Sequence, residues 1–328
     1  MVIKKIVLFT SFIFFTSTLS SPTIAEELSA ESYRAWLVDF KKELKDNGIR
    51  PDVIQAVFPK LTYDDKVVAK DRNQPEFKLT FNDYTKRVIT EKKITKAREF
   101  YHANKKLIDQ IAHDYSIPPK YLLALWGMES HCGEIMGTYY VPSSLSNLAY
   151  EGRRREFFKA ELMKIFHLLN ENKISPEPLK GSWAGAMGQV QFMPSSLVNF
   201  GVDYDKDGKI DIWNSKADIF ASAANYLQKS GWDETQKWGR EVRIDHAKDY
   251  GKGNCDLKKP LKEWRDNKIT GMNNSPLPAL DVEACLIIPD QTSGRAFLVY
   301  PNFHVIMKWN KSYFFALGTG LLADKIIP

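Results

Sequence analysis

The 328-residue sequence predicts an α+β protein, mainly α, in which a small β-rich insertion interrupts a helical body. Three observations carry this expectation. Apolar residues recur at helical spacing from Ser29 to Ile117 and again in segments that end near Gly133, Asn170 and Lys229. After Trp232 the pattern shortens to Glu241-Val242-Arg243-Ile244, Cys285-Leu286-Ile287-Ile288 and Ala296-Phe297-Leu298-Val299-Tyr300, runs that read as strands between Gly, Asn and Pro turns. A helical pattern then returns from about Lys311 to Leu322, which places the strands inside the helical body.

Taken in order, Lys4 and Lys5 precede an apolar run from Ile6 to Leu19 and then small residues up to Ala25, so residues 1–25 read as a secretory signal peptide cleaved after Ala25. The run falls short of the roughly 20 apolar residues that cross a bilayer and contains Thr10, Ser11 and Thr16. No transmembrane anchor is therefore expected in the mature protein, and the expected location is the periplasm. Residues 26–115 read as a helical N-terminal region with Lys-rich amphipathic stretches, introduced around Phe77 to Tyr84 by a charged and aromatic segment. Residues 116–232 form the core: Pro118-Pro119 suit a first helical turn, and the helix they start is apolar nearly all round as far as Glu129. A further amphipathic helix covers Glu156 to Asn170. A Pro-rich break (Ser175 to Pro178), a Gly-rich turn (Gly181 to Gly188), a short helix after Pro194, an acidic loop (Asp203 to Asn214) and a helix from about Asp218 to Lys229 follow. Residues 233–300 are the β-rich insertion and 301–328 a C-terminal helix that completes the core.

Composition bounds the partners. The formal charge of +6 becomes +4 once Lys4 and Lys5 are removed, too little to imply nucleic acid, though compatible with an anionic polymer. Three cysteines in an oxidising compartment suggest one bridge, and Cys255 and Cys285, on either side of a turn-rich segment, are the expected pair; three free thiols are the alternative. Cys132 is then a small buried hydrophobe. No phosphate-binding loop, nucleophilic triad or histidine ligand spacing is present, and no organic cofactor is expected.

Four groups of residues carry chemistry. Glu129 ends a buried helix, where desolvation raises a carboxyl pKa toward the range of a general acid; a structural ion pair is the alternative. Gly185-Ala186-Met187-Gly188-Gln189-Val190-Gln191-Phe192-Met193-Pro194-Ser195-Ser196 joins a tight turn to two amides and an aromatic ring, groups that suit the acetamido and hydroxyl groups of a sugar; a packed turn with Gln191 bonded to backbone is the alternative. Asp203, Asp205, Asp207, Gly208 and the carbonyl of Lys209 follow the Asp-x-Asp-x-Asp-Gly template of a calcium loop, although position twelve is Asn214 rather than a bidentate Glu. A metal-free acidic loop is the alternative. Arg153, Arg154 and Arg155 read as a solvated helix start, with contact to anionic peptide stems as the second reading.

The segment from Ala124 to Gly133, the one from Gly185 to Ser196 and the acidic loop together resemble the B-type lytic murein transglycosylases, whose fold is lysozyme-like, and the resemblance runs from about Gln74 to the last helix. It implies that residues 116–232 are a lysozyme-like catalytic core and that Glu129 is the single catalytic Glu. It further implies that Ser182, Gln191, Phe192, Tyr226 and Asn310 line a saccharide groove, with Tyr84 and Tyr150 as further aromatic groove positions. Similar enzymes close the acidic loop with an Asp of the following helix, here Asp218, around a structural Ca2+ that ties the loop to the helix of Tyr226. Departures are His131 and Cys132, Phe315 where a tyrosine is common, and the added amide of Gln189.

The implied substrate is the glycan strand of peptidoglycan and the implied state a monomer. Glu129 would protonate the bond between N-acetylmuramic acid and N-acetylglucosamine, then act as base toward the muramoyl C6 hydroxyl. The rivals are a hydrolytic muramidase, for which Glu134 or Glu151 would supply a second carboxylate, and a non-catalytic peptidoglycan-binding protein.

Overall fold

The computed structural model describes residues 28–72, 79–244, 253–266, 269–290 and 292–327; the expected signal peptide and Phe77-Lys78 lie outside them. Helix α1 (Ala30–Asp46) begins at a Ser29 capping box and buries Tyr33, Leu37, Phe40 and Leu44, one stripe at spacings of three and four. α2 (Pro51–Val57) starts with its proline in the first turn, and α3 (Asp65–Arg72) follows. Thr80 and Thr90 cap α4 (Phe81–Val88) and α5 (Glu91–Ala103), and α6 (Lys105–Tyr115) ends at Ser116 in the left-handed region.

α7 (Pro119–Ser130) is the axis of the molecule. Every residue from Tyr121 to Gly127 is buried, and α5, α6, α11 (Lys216–Lys229) and α14 (Tyr313–Ile326) pack around it. Leu122, Leu123 and Leu125 are at most 1% exposed, and burial of each stabilises the fold by roughly 1.5–3 kcal/mol. Between α7 and α11 lie β1 (Tyr139–Tyr140), α8 (Val141–Glu151), α9 (Arg155–Asn170), β2 (Lys180–Gly181) and α10 (Pro194–Phe200). The sequence pattern did not announce α8, because it starts Val-Pro and is rich in Ser and Asn. Its polar groups are bonded instead: Asn147 donates to the carbonyls of Thr62 and Ser143 and accepts from the Asp64 amide.

The insertion is an antiparallel sheet of β3 (Gly239–Arg243), β4 (Asn254–Pro260), β5 (Thr270–Gly271), β6 (Glu283–Ile287) and β7 (Ala296–Val299), ordered β4-β6-β7-β3-β5, with α12 (Leu261–Asp266) after β4. Both faces are covered. Cys285, Ile287, Phe297 and Val299 join the main core, whereas Ala284, Leu286, Ala296 and Leu298 face a second core with Leu261, Trp264 and Leu277. This explains why β6 and β7 read as continuous apolar runs. β4, which carries Asp256, Lys258, Lys259 and Pro260 on the sheet edge, had no such signal. Asp290 accepts the Phe81 amide at 2.6 Å and Arg295 lies over the Phe81 ring at 5.0 Å, which fastens the sheet to α4, while Arg295 pairs with Glu241 of β3 at 2.6 and 2.7 Å within the sheet.

Two expectations need correction. The chain after residue 300 is not one helix but two, α13 (Pro301–Trp309) and α14, separated by Asn310 to Ser312, where Ser312 caps the second. Arg153 and Arg154 are not merely solvated: both bind the carboxylate of Asp71, which is 2% exposed on α3. Cys255 and Cys285 have Cα atoms 4.9 Å apart, within disulfide distance, and Cys132 is buried apart from them. Among the described residues no helix is long and apolar enough to cross a membrane.

Candidate active site

Glu129 occupies the last turn of α7, whose end is built from a tight reversal: His131, Cys132 and Gly133 all have positive φ, and Ser130 donates to the Trp126 carbonyl while accepting the Gly133 amide. Its carboxyl opens into a cavity of about 550 Å³ lined also by Glu134, Ile135, Met136, Tyr139, Ser182, Trp183 and Gln191. Burial pushes the carboxyl up to about 7, against the pull of the Trp309 indole, which donates to Oε1 at 2.8 Å. Tyr84 lies within electrostatic reach, because burial and then the charge of Glu129 push its hydroxyl up to about 12.

The opposite wall is the glycine turn. Ser182 Oγ accepts the amides of Ala184 and Ala186, and Tyr139 pairs with Gly181 across β1 and β2. Gly188 has φ +64°, and a Cβ there would sit 2.5 Å from the Ile212 carbonyl oxygen, so only glycine lets the turn lie against the acidic loop. Gln189 is a strut rather than a groove amide: it accepts the Trp126 indole at 2.7 Å and donates to the Trp213 carbonyl at 2.7 Å. Gln191, at φ 49°, donates to the Met136 and Gly188 carbonyls and lines the cavity.

The structure brings together only part of the predicted groove set. Ser182 and Gln191 share the cavity with Glu129. Phe192 and Tyr226 lie beneath it, 2% and 9% exposed, with ring centroids 5.2 and 4.6 Å from Trp309; the Tyr226 hydroxyl donates to the Lys308 carbonyl at 2.7 Å. Asn310 is exposed at the end of α13. Tyr150 is buried against α1, with its hydroxyl bonded to Ser29 and Ser32, and Phe315 is buried in α14. Sequence reasoning missed Trp309, Tyr139 and Trp183. Trp309 adjoins Asn310, but its contact with Glu129 spans 180 residues and leaves no local signal.

Of the two carboxylates weighed for hydrolysis, Glu134 lines the cavity and is paired with Lys96 at 2.9 Å and Lys92 at 3.5 Å, which hold it below the usual carboxylate range. Glu151 is engaged by Arg72 and the Arg153 amide.

In the acidic loop, Asp203, Asp205 and Asp218 present carboxylate oxygens within 4.8 Å of one another. Asp207 and Lys209 are not in that cluster; the Asp207 carboxylate accepts the Lys209 amide, and Lys209 Nζ donates to the Asn172 carbonyl. Asp218 is fully buried, accepts the Tyr204 and Asp211 amides, and has its pKa raised by burial. An all-oxygen set with a buried carboxylate and, among the described residues, no cationic side chain bonded to it fits a hard cation.

The family described as Transglycosylase SLT domain matches residues 32–324. The chain belongs to this family. Among its relatives, membrane-bound lytic murein transglycosylase B of Escherichia coli K12 is 28% identical over 249 residues, 74% of this chain and 66% of that protein, so the chain spans just under two thirds of it. SltB3 of Pseudomonas aeruginosa, solved with NAG-anhNAM-pentapeptide, superposes with a TM-score of 0.86 at 38% identity, covering 90% of this chain and 79% of that one. Lytic transglycosylase Slt35 of Escherichia coli, solved with calcium, superposes with a TM-score of 0.75 at 25% identity, covering 93% and 94%. The SLT domain fold is thus lysozyme-like, α+β and mainly α, with the sheet inserted before the last two helices.

Proposed function

We propose that this chain is a lytic transglycosylase that cuts the β-1,4 bond between N-acetylmuramic acid and N-acetylglucosamine in peptidoglycan without water. The observation that carries the reading is Glu129: a carboxyl raised to about 7 that lines a cavity, in a chain that superposes on SltB3 solved in complex with NAG-anhNAM-pentapeptide. Near neutral pH such a group exists in both protonation states, which a residue serving first as acid and then as base requires. Protonated Glu129 gives its proton to the glycosidic oxygen as the C1–O bond breaks. The neighbouring acetamido oxygen stabilises the cationic C1. The Glu129 carboxylate then takes the proton of the C6 hydroxyl while that oxygen bonds to C1, which closes a 1,6-anhydro ring and regenerates the acid.

Ser182 and Gln191 contact the saccharide on this reading, with Asn310 and Tyr84 at its edges; Phe192 and Tyr226 support the site from below, and Tyr150 belongs to the packing of α1. A calcium ion held by Asp203, Asp205 and Asp218, with Asp207 and the Lys209 carbonyl completing its shell, would tie the loop to α11. Cys255 and Cys285 form a disulfide that staples β4 to β6. Residues 1–25 direct export to the periplasm, and 26–115, 116–232, 233–300 and 301–328 are the organisational units of a monomer. Purified sacculi incubated with the protein should lose turbidity, and those incubated with Glu129→Gln should not; equal clearing by both would remove the proposal, and no clearing by either would favour a wall-binding role.

A further inference from the structure

We infer that Trp309 is a positioning residue that assigns the two oxygens of Glu129 different roles: Oε1 stays a hydrogen-bond acceptor throughout, and Oε2 is the oxygen that gives and later retrieves the proton. The inference rests on the reading of Glu129 as acid and base and adds which atom of it works.

The chemistry follows from the partner. An indole N–H donates and has no lone pair to accept with. While it points at Oε1 from 2.8 Å, a proton on that oxygen would face another proton, so the neutral carboxyl carries its hydrogen on Oε2. When Glu129 is ionised the same contact becomes charge-assisted and strengthens. A neutral donor therefore favours the carboxylate without fixing it, whereas a guanidinium in this place would hold the group ionised, as Arg153 and Arg154 hold Asp71. Among the described residues, the other titratable groups near Glu129 include Tyr84 of α4, neutral until far above neutrality, Tyr139 in the cavity lining, and Glu134 of the same cavity, whose charge Lys92 and Lys96 offset.

The indole is held in place by residues that sequence reasoning had assigned to the sugar. Phe192 and Tyr226 are too covered to stack on a saccharide, but their rings pack against Trp309 and against each other as a three-ring cluster, and the Tyr226 hydroxyl fixes the Lys308 carbonyl next to it. The Asn310 amide closes the last turn of α13 on the Ile306 carbonyl. The aromatic of the glycine-turn motif and the aromatic of α11 thus act on catalysis through Trp309.

The test uses the full-length mature protein and Trp309→Phe, with two readouts: the titration midpoint of the Glu129 carboxyl by 13C NMR, assigned by difference against Glu129→Gln, and the pH dependence of kcat and KM on solubilised glycan strands. A lost hydrogen bond to a charged group corresponds to roughly one pH unit and roughly a tenfold effect. The midpoint should rise by about that unit, the alkaline fall of activity should move up with it, and kcat should drop about tenfold with KM unchanged. Tyr226→Phe should lower kcat by a few-fold, again at constant KM. An unmoved midpoint and alkaline limb in folded Trp309→Phe would overturn the inference, as would a raised KM with full kcat in Tyr226→Phe, the mark of a sugar contact. If Trp309→Phe does not fold, 3-benzothienylalanine at 309, which exchanges the N–H for sulfur in the same ring outline, gives the same readouts. Should the wild-type protein cut no glycan, the proposed function would fail on its own, and the titration, which needs no substrate, would still decide whether the indole governs Oε1.

Discussion

Two carboxyls shielded from water, Glu129 at the end of α7 and the buried Asp71 where α3 meets the start of α9, end on opposite sides of the usual carboxylate range. Burial pushes both up. At Asp71 the guanidiniums of Arg153 and Arg154 outweigh it and hold the group below the usual carboxylate range. At Glu129 the counterweight is a single neutral indole, and the pKa rests at about 7. Asp71 is thereby an anion that ties the N-terminal helices to the core, and Glu129 is a group that changes protonation state near neutral pH, as the proposed acid-and-base role requires. The two carboxyls differ most in their partners, a pair of cations at Asp71 and a neutral indole at Glu129.

The largest effect that would sharpen this contrast is on turnover. Glu129→Gln preserves shape but carries no exchangeable acid proton, so glycan cleavage should fall by more than ~10²-fold while the circular dichroism spectrum stays native. Asp71→Asn should leave turnover within a few-fold of wild type; a comparable loss there would erase the distinction between the two carboxyls.

Calcium comes next. An ion that binds only the folded chain at about a hundred times its Kd adds ~2.7 kcal/mol, so the melting temperature should rise on passing from chelator to millimolar calcium, and Asp218→Asn should abolish the rise. An Asp218→Asn protein that responds as wild type does would show that the cluster of Asp203, Asp205 and Asp218 is not the site.

The two carboxyls also make opposite statements about stability. The pKa of Asp71 is depressed in the fold, so its contribution is present above the unfolded value and is lost as pH falls through the folded one. Asp71→Asn should lower stability at pH 8 by roughly 1–3 kcal/mol, toward the lower figure because both arginines are half exposed. The pKa of Glu129 is raised from 4.5 to about 7, so the folded state loses stability as pH rises across that window. Glu129→Gln should therefore melt above wild type at pH 8 and level with it at pH 4. Thermal scans of both amide variants at the two pH values decide the matter, and shifts of the same sign at pH 8 would break the comparison.

What the sequence showed and what it hid follow from the range of the interactions. The run from Tyr121 to Glu129 was legible because an apolar helix with a carboxyl at its end is a local pattern. β6 and β7 were legible as apolar runs, while β4 was not, since an edge strand with two lysines and a proline looks like a loop. α8 hid behind Ser and Asn residues whose hydrogen bonds run to Thr62 and Asp64, some eighty positions earlier. Arg153 and Arg154 looked solvated for the same reason, their partner being 82 and 83 residues away. Gln191 of the glycine turn lines the Glu129 cavity, whereas Phe192 and Tyr226 are covered and pack against Trp309, a contact between distant segments that nothing local in the sequence announces.

The central claim, that one carboxyl at Glu129 serves as acid and then as base, is tested most directly by the mass of the products released from sacculi. Ring closure by the C6 hydroxyl yields anhydromuropeptides, each lighter by one water than the corresponding lysozyme product, and the account predicts these as the main species. Muropeptides ending in reducing muramic acid would contradict it, because hydrolysis requires a second group to activate water, and Glu134, already ionised in the same cavity, would then be the residue to pursue.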